Sequence, residues 1–176
     1  MAFQRHRSTE ERKRSAIVLA KTLLQEIPGL LPEHRRECLG IALWKYTQAE
    51  GLSKYKTRFR SKASISAVAR DLRHDHVCQR AIMIDTLLQA KSEDVDEILR
   101  NAVGCTITKD EHTLLERFKH LDGWERYRRA EIVVIDMETG QPFEFPHPRE
   151  DKRHREELGR YRVSESSSAD DPYSRN

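Results

Sequence analysis

The chain is organised around two segments, Asp71-Leu-Arg-His-Asp-His-Val77 and, about thirty residues later, Gly104-Cys-Thr-Ile-Thr-Lys-Asp-Glu-His-Thr-Leu-Leu115. The first segment places His74, Asp75 and His76 side by side, just ahead of an apolar run. The second places His112 just inside a predicted helix start. Because imidazole and carboxylate groups bind metal ions and transfer protons, we expect the two segments to meet at one site.

The size and composition of the chain indicate one globular domain. With 176 residues, it can bury enough apolar surface to fold without disulfides. Hydrophobic residues make up 37% and charged residues 35%, which predicts a small core, a heavily charged surface and disordered ends. The formal net charge of +3 implies no partner by itself, so the local distribution of charge matters more.

The cysteines and the hydropathy pattern predict a cytoplasmic protein without membrane association. Cys38, Cys78 and Cys105 are an odd number at wide spacing, which fits reduced thiols better than a disulfide framework or a paired-cysteine zinc site. No apolar run approaches the roughly twenty residues of a membrane span. Residues 1–7 lack the apolar core of a signal peptide.

The N-terminal third predicts an antiparallel helical hairpin. Thr9, rather than Ser8, is the predicted cap of a first helix that ends at Pro28-Gly29. Pro32 suits the start of a second helix, which we expect to run from residue 33 to about residue 49. The short link between the helices favours the hairpin.

The most basic part of the chain lies between residues 54 and 80. This segment contains two acidic residues, Asp71 and Asp75, and eight basic residues: Lys54, Lys56, Arg58, Arg60, Lys62, Arg70, Arg73 and Arg80. In its first part, residues 52–62, basic side chains alternate with Tyr55 and Phe59 in a loop or short strand. This pattern is typical of nucleic-acid binding, in which cations pair with phosphates and aromatic rings stack on bases. The alternative is a solvated strand with its aromatic rings turned inward.

The middle of the chain predicts helices around one strand. Ser64 or Ser66 begins a third helix that passes Leu72 and leads to the histidines, and Ile82 to Leu88 forms the buried face of the next helix. Ser92 is the predicted cap of a short helix. Residues 103–108 read as a strand, and Thr108-Lys-Asp-Glu111 matches a capping box that places His112 in the first turn of a helix.

Towards the C-terminus, Trp124 and Tyr127 predict a short helix, and residues 131–136 and 142–145 predict a β-hairpin around Glu138-Thr-Gly140.

The predicted fold is therefore α+β: a mainly helical single domain with an N-terminal helical hairpin and a small β-hairpin near its C-terminal end. We predict a flexible basic lead-in at residues 1–7, the domain at residues 8–145, and a charged, partly disordered tail at residues 146–176.

Asp75-His-Val77 resembles the Asp-His-hydrophobic start of the HNH, or ββα-metal, nuclease motif, and His112 resembles its terminal histidine. The resemblance implies a metal-dependent endonuclease in which Asp75 and His112 bind Mg²⁺, Mn²⁺ or Zn²⁺. His76 would be the general base, and Asn101 would take the place of the asparagine that holds this base in position.

Three functions are consistent with these patterns. The first is an HNH-like endonuclease whose basic loop, formed by Lys54, Lys56, Arg58, Arg60 and Lys62, holds the nucleic-acid backbone. The second is a noncatalytic nucleic-acid-binding or regulatory protein that uses the same loop without a metal. The third is a protein-interaction module of a mobile element or defence system. Alternatively, Asp75 pairs with Arg73 or Arg80 and the histidines are ordinary polar positions.

Overall fold

The computed structural model of the protein describes residues 3–146, which form an α+β fold. Its six helices are α1 (Thr9–Leu24), α2 (Pro32–Thr47), α3 (Arg80–Gln89), α4 (Val95–Arg100), α5 (Lys109–Glu116) and α6 (Trp124–Arg129). Its five strands are β1 (Phe59–Ser61), β2 (Leu72–His76), β3 (Gly104–Thr108), β4 (Val134–Asp136) and β5 (Gln141–Pro142). The predicted tail, apart from its first residue, and the first two residues of the predicted lead-in lie outside the described residues.

The predicted N-terminal helical hairpin is confirmed by the contact between α1 and α2. Pro32 is the first residue of α2, as its fixed φ favours. The predicted cap of α1 is wrong: Ser8 occupies the N-cap position, and Thr9 is already helical. The Thr9 hydroxyl instead donates a 2.6 Å hydrogen bond to the carbonyl of His6, which also receives the backbone N–H of Thr9.

The sheet is larger than the predicted hairpin, because it contains five strands in the order β2-β3-β1-β4-β5. The central strand β1 runs parallel to β3 and antiparallel to β4. β2 is an edge strand that pairs antiparallel with β3, and β5 forms a hairpin with β4 whose strands are shorter than the predicted 131–136 and 142–145. Three of the five strands have three residues or fewer, so most of the sheet leaves little periodic signal in the sequence.

The predicted helix from Ser64 to Leu72 is also wrong. The chain makes two single 3₁₀ turns, Ala63–Ile65 and Ala69–Asp71, and then enters β2. All five residues of β2 pair with β3, from Leu72 opposite Thr108 to His76 opposite Gly104. Tertiary pairing thus overrides the helical spacing of the apolar residues between 65 and 72.

Two apolar clusters lie in the fold. Helices α1 to α4 form the first, with Ala20, Leu39, Leu43, Met83, Leu87 and Ile98 among its fully buried members. The sheet and α6 supply most of the second, which includes Cys105, Ile107, Trp124, Tyr127 and Val134. Phe143 and Phe145, which follow β5, pack on Trp124 with ring centroids 4.8 and 5.6 Å away. Within residues 3–146, every helix is too short or too polar to cross a membrane.

Candidate functional site

A cleft of about 590 Å³ lies at the edge strand β2. Since successive side chains of a strand point to opposite faces, His74 and His76 lie on one face of the sheet and Arg73 and Asp75 on the other. Because β2 is an edge strand of the sheet that residues 3–146 form, the cleft reaches both faces. Its remaining lining comes from α2, α3, α5, α6 and the loops, and includes Trp44, Lys54, Tyr55, Arg80, His112, Glu116, Lys119 and Arg126.

On the first face, His74 and His76 lie against the C-terminal end of α2. Nε2 of His74 is 2.9 Å and Nε2 of His76 is 3.5 Å from the Thr47 hydroxyl oxygen. The two rings meet edge to face, with centroids 5.2 Å apart. Burial, together with a smaller effect of neighbouring positive charge, lowers the pKa of His74 to about 3 and that of His76 to about 4. Both rings are therefore neutral at pH 7.

On the second face, Asp75 is 7% exposed and is held by α6. The Tyr127 hydroxyl donates a 2.6 Å hydrogen bond to Oδ2, and Nη2 of Arg126 lies 3.3 and 3.4 Å from the two carboxylate oxygens. Nε2 of His112 is 3.9 Å from Oδ1. Burial raises the pKa of Asp75, while Arg126 and the Tyr127 hydroxyl oppose that rise.

Two glycines make room for the side chains of the cleft. Gly104 lies opposite His76 in the β2–β3 pair. A Cβ atom on Gly104 would lie 2.5 Å from Cε1 of His74, so the glycine leaves room for the His74 ring. A Cβ atom on Gly40 would lie 2.9 Å from the guanidinium of Arg80, which packs against α2 at this point. The absence of these Cβ atoms therefore shapes the cleft.

The capping box at the start of α5 is confirmed, and it positions His112. Thr108 Oγ1 accepts from the backbone N–H of Glu111 at 3.2 Å, and Oε2 of Glu111 accepts from the backbone N–H of Thr108 at 2.8 Å. The Ser61 hydroxyl donates to the same carboxylate oxygen at 2.5 Å and ties α5 to β1. His112, the next residue, consequently faces Asp75.

The structure thus brings together Asp75, His76 and His112, but Asn101 lies elsewhere. Asn101 follows α4, where its carbonyl oxygen is 3.9 Å from the thiol of Cys78, and it is not part of the lining of the cleft. The hypothesis that Asn101 positions His76 has no contact in the described residues to support it.

The donor set of Asp75 and His112 does not fit a metal ion in this arrangement. Oδ2 of Asp75 already accepts from Tyr127, and both carboxylate oxygens face Arg126. Between residues 3 and 146, the structure contains no group of three or more histidine, cysteine or acidic side chains placed to hold an ion. A tightly bound Zn²⁺ normally takes three or four protein ligands, which is more than these two.

The basic side chains of the predicted loop lie in different environments. Arg58 forms ion pairs with Asp136 at 2.7 Å and with Glu138 at 3.1 Å, and Arg60 donates to the carbonyl of Ser64. Lys54 lines the cleft, whereas Lys56 lines a separate cavity together with Arg60, and Lys62 is exposed. Only Lys54 of this loop therefore faces the histidines.

The sequence did not point to three of the charged residues that line the cleft, Glu116, Lys119 and Arg126. Arg73, Arg80, Lys119 and Arg126 come from four different segments, and Trp44 joins them from α2. The local excess of basic residues pointed to Arg73 and Arg80, but no spacing in the sequence relates them to Lys119 or Arg126. Tyr127 lies in the predicted short helix and is buried, and its hydroxyl also donates to Asp75.

Comparison of the chain with protein-family models, with curated proteins and with solved structures finds no significant match. The geometry of the cleft is therefore the basis on which a function is inferred.

Proposed function

We propose that the protein binds nucleic acid in the cleft along β2. The observation that carries the proposal is the charge of its lining. Five cations, Lys54, Arg73, Arg80, Lys119 and Arg126, surround two carboxylates, those of Asp75 and Glu116. Asp75 is paired with Arg126, so the cleft has a surplus of positive charge. A polyanion is the ligand that such a surface attracts most strongly.

The neutral side chains of the cleft support the same proposal. Trp44 and Tyr55 are half-buried and present aromatic surface beside Lys54. His74 and His76, being neutral at pH 7, offer hydrogen bonds without adding repulsion or charge. Cations for phosphates and rings for bases are the two kinds of contact that nucleic-acid-binding grooves combine.

Salt-dependent binding tests this proposal. Fluorescence anisotropy with a labelled oligonucleotide should show an affinity that falls steeply between about 50 and 200 mM salt. Arg80→Ala should weaken binding and make the salt dependence shallower, because one phosphate contact is lost. Arg58→Ala is the matched control, since Arg58 is committed to Asp136 and Glu138 and lies outside the cleft lining. Equal affinities for wild type and the Arg80 variant would refute the assignment to this cleft.

A second candidate is HNH-like, metal-dependent cleavage of the bound nucleic acid. One observation favours it: β2 and β3 form an antiparallel pair, β3 runs directly into α5, and these elements carry Asp75, His76 and His112 to one cleft. A neutral His76 has the free lone pair that a general base needs. No catalytic step is assigned to a metal, because the Asp75 carboxylate already accepts a hydrogen bond from Tyr127 and pairs with Arg126.

Cleavage is tested with plasmid DNA and with RNA in the presence of Mg²⁺, Mn²⁺ or Zn²⁺. His76→Ala should abolish cutting while thermal unfolding shows the fold intact. Equal cutting by wild type and the variant would assign the activity to a contaminant. Binding that persists without any cutting would leave the noncatalytic function in place.

We also infer a cytoplasmic location. Its support is that Cys38 and Cys105 form no disulfide within residues 3–146. Fractionation of cells that produce the tagged protein is the direct measurement, and recovery in the membrane or secreted fraction would contradict the inference.

A further inference from the structure

Two aromatic rings flank one ammonium group at the mouth of the cleft. Nζ of Lys54 lies 5.7 Å from the ring centroid of Trp44 and 5.1 Å from that of Tyr55. Nζ of Lys45 lies 5.2 Å from the Trp44 centroid. Trp44 and Tyr55 are held on different elements, α2 and the loop after it, and both line the cleft.

The two rings are not stacked on each other. The ring contacts of the described residues join Phe59, Trp124, Tyr127, Phe143, Phe145 and the two histidines, but not Trp44 with Tyr55. The space around the Lys54 ammonium is therefore bordered by two aromatic surfaces. Such a space suits a flat, apolar ring system with an anionic group attached, since further cations line the cleft behind it.

We propose that the cleft takes an unpaired nucleotide, so that the ligand is single-stranded nucleic acid. The base stacks on Trp44 and Tyr55, and the displaced ammonium of Lys54 moves to the adjoining phosphate together with Arg80. This inference rests on the proposed nucleic-acid binding and specifies its substrate class.

Access to the faces of the bases distinguishes a single strand from a duplex as the ligand. In a duplex each base is covered above and below by its neighbours, so that a protein ring reaches its face only after unstacking. In a single strand the face is open, and stacking on an aromatic ring tolerates any sequence. A pair of rings beside cations consequently favours the single strand.

Tryptophan fluorescence gives a direct probe of the stacking contact. The chain contains two tryptophans, Trp44 and Trp124. Trp124 is 7% exposed and packs among Phe59, Phe143 and Phe145. A base that stacks in the cleft therefore quenches Trp44, and Trp44→Phe should remove most of the quenching.

The experiment uses the full chain and a labelled strand of about 12 nucleotides, alone or annealed to its complement. We expect the single strand to bind at least about tenfold more tightly than the duplex. Tyr55→Ala should weaken single-strand binding about tenfold, and Tyr55→Phe, which keeps the ring, should restore it. Leu52→Ala is the matched control, because Leu52 is an exposed apolar residue of the same loop that does not line this cleft.

The outcomes separate this inference from the proposed function. Equal or tighter duplex binding, or a Tyr55→Ala variant that binds the single strand as well as wild type, overturns the inference and leaves nucleic-acid binding standing. Failure of the wild-type protein to bind either form overturns both. Thermal unfolding of each variant shows whether a lost affinity reflects a lost contact or a lost fold.

Discussion

The hydroxyl of Tyr127 donates a 2.6 Å hydrogen bond to Oδ2 of Asp75 and thereby joins α6 to the middle of the edge strand β2. Both side chains are buried, and Arg126 completes the arrangement from the same helix. The carboxylate that the HNH resemblance assigns to a metal is thus held by two neighbours. It has a structural role whether or not the cleft has catalytic activity.

Tyr127→Phe removes the hydroxyl and keeps the ring in the core. Hydrogen bonds to buried charged groups contribute about 1.5–3 kcal/mol, so we expect the free energy of unfolding to fall by about 2 kcal/mol. Urea unfolding followed by circular dichroism measures this change. A variant as stable as wild type would show that solvent satisfies the Asp75 carboxylate.

Removal of the Asp75 carboxylate should lower the free energy of unfolding more than removal of the Tyr127 hydroxyl does. Asp75→Leu leaves the Arg126 guanidinium buried without its partner, which predicts a loss of about 3–5 kcal/mol. The double variant Asp75→Leu/Arg126→Met should regain most of this loss, because it removes both charges. Asp85→Ala is the control for a surface pair: Asp85 binds Arg36 with both side chains about 40% exposed, and its loss should change stability by less than about 1 kcal/mol.

The histidines of the cleft predict a stability that falls in acid. Their folded pKa values, about 3 for His74 and about 4 for His76, lie below the ordinary histidine value of about 6.5. Between pH 6.5 and 4 the unfolded chain therefore binds more protons, and each histidine removes up to about 1.4 kcal/mol of stability per pH unit as pH falls. The raised pKa of Asp75 acts in the opposite direction.

A difference measurement separates these contributions. The stability of His76→Gln, measured by urea unfolding at pH 7 and at pH 5, should depend less on pH than that of wild type, because one titrating group is gone. Asp75 is common to both proteins, so its contribution cancels to first order. Identical slopes would mean that His76 titrates alike in the folded and unfolded chains.

Gly104→Ala should disturb the cleft through His74. The new methyl group would lie 2.5 Å from Cε1 of His74 and 3.1 Å from the carbonyl oxygen of Thr47, so we expect a loss of about 1–3 kcal/mol. In a His74→Ala background the same substitution should cost clearly less, since the closest contact is gone. A cost that is equal in both backgrounds would place the strain at Thr47 instead.

The parts of the fold that could be predicted are those with local signals. Helices α1 and α2 follow from apolar spacing and from Pro32, and the start of α5 follows from the reciprocal chemistry of Thr108 and Glu111. The strand β3 follows from β-branched residues around Cys105. Each of these signals lies within a few residues of the structure that it determines.

The rest depends on partners that are distant in sequence. β2 reads Leu-Arg-His-Asp-His, which contains no β-branched residue, and it is a strand because β3 pairs with its whole length. Asp75, His76 and His112 were predicted to meet, and they line one cleft. Asp75 is held by Arg126 and Tyr127, which lie about fifty residues away in the sequence. Only the tertiary structure relates these residues to Asp75.

The position of β1 bears on how the chain is made. Phe59 pairs with Cys105 on one side and with Asp136 on the other, so that β1 has no neighbour in the sheet until β3 has left the ribosome, and its second neighbour only after β4 has followed. The helical hairpin can form as soon as it emerges, because its contacts are local. A nascent chain halted before residue 104 should therefore expose the Phe59 strand to chaperones, while α1 and α2 are already in place.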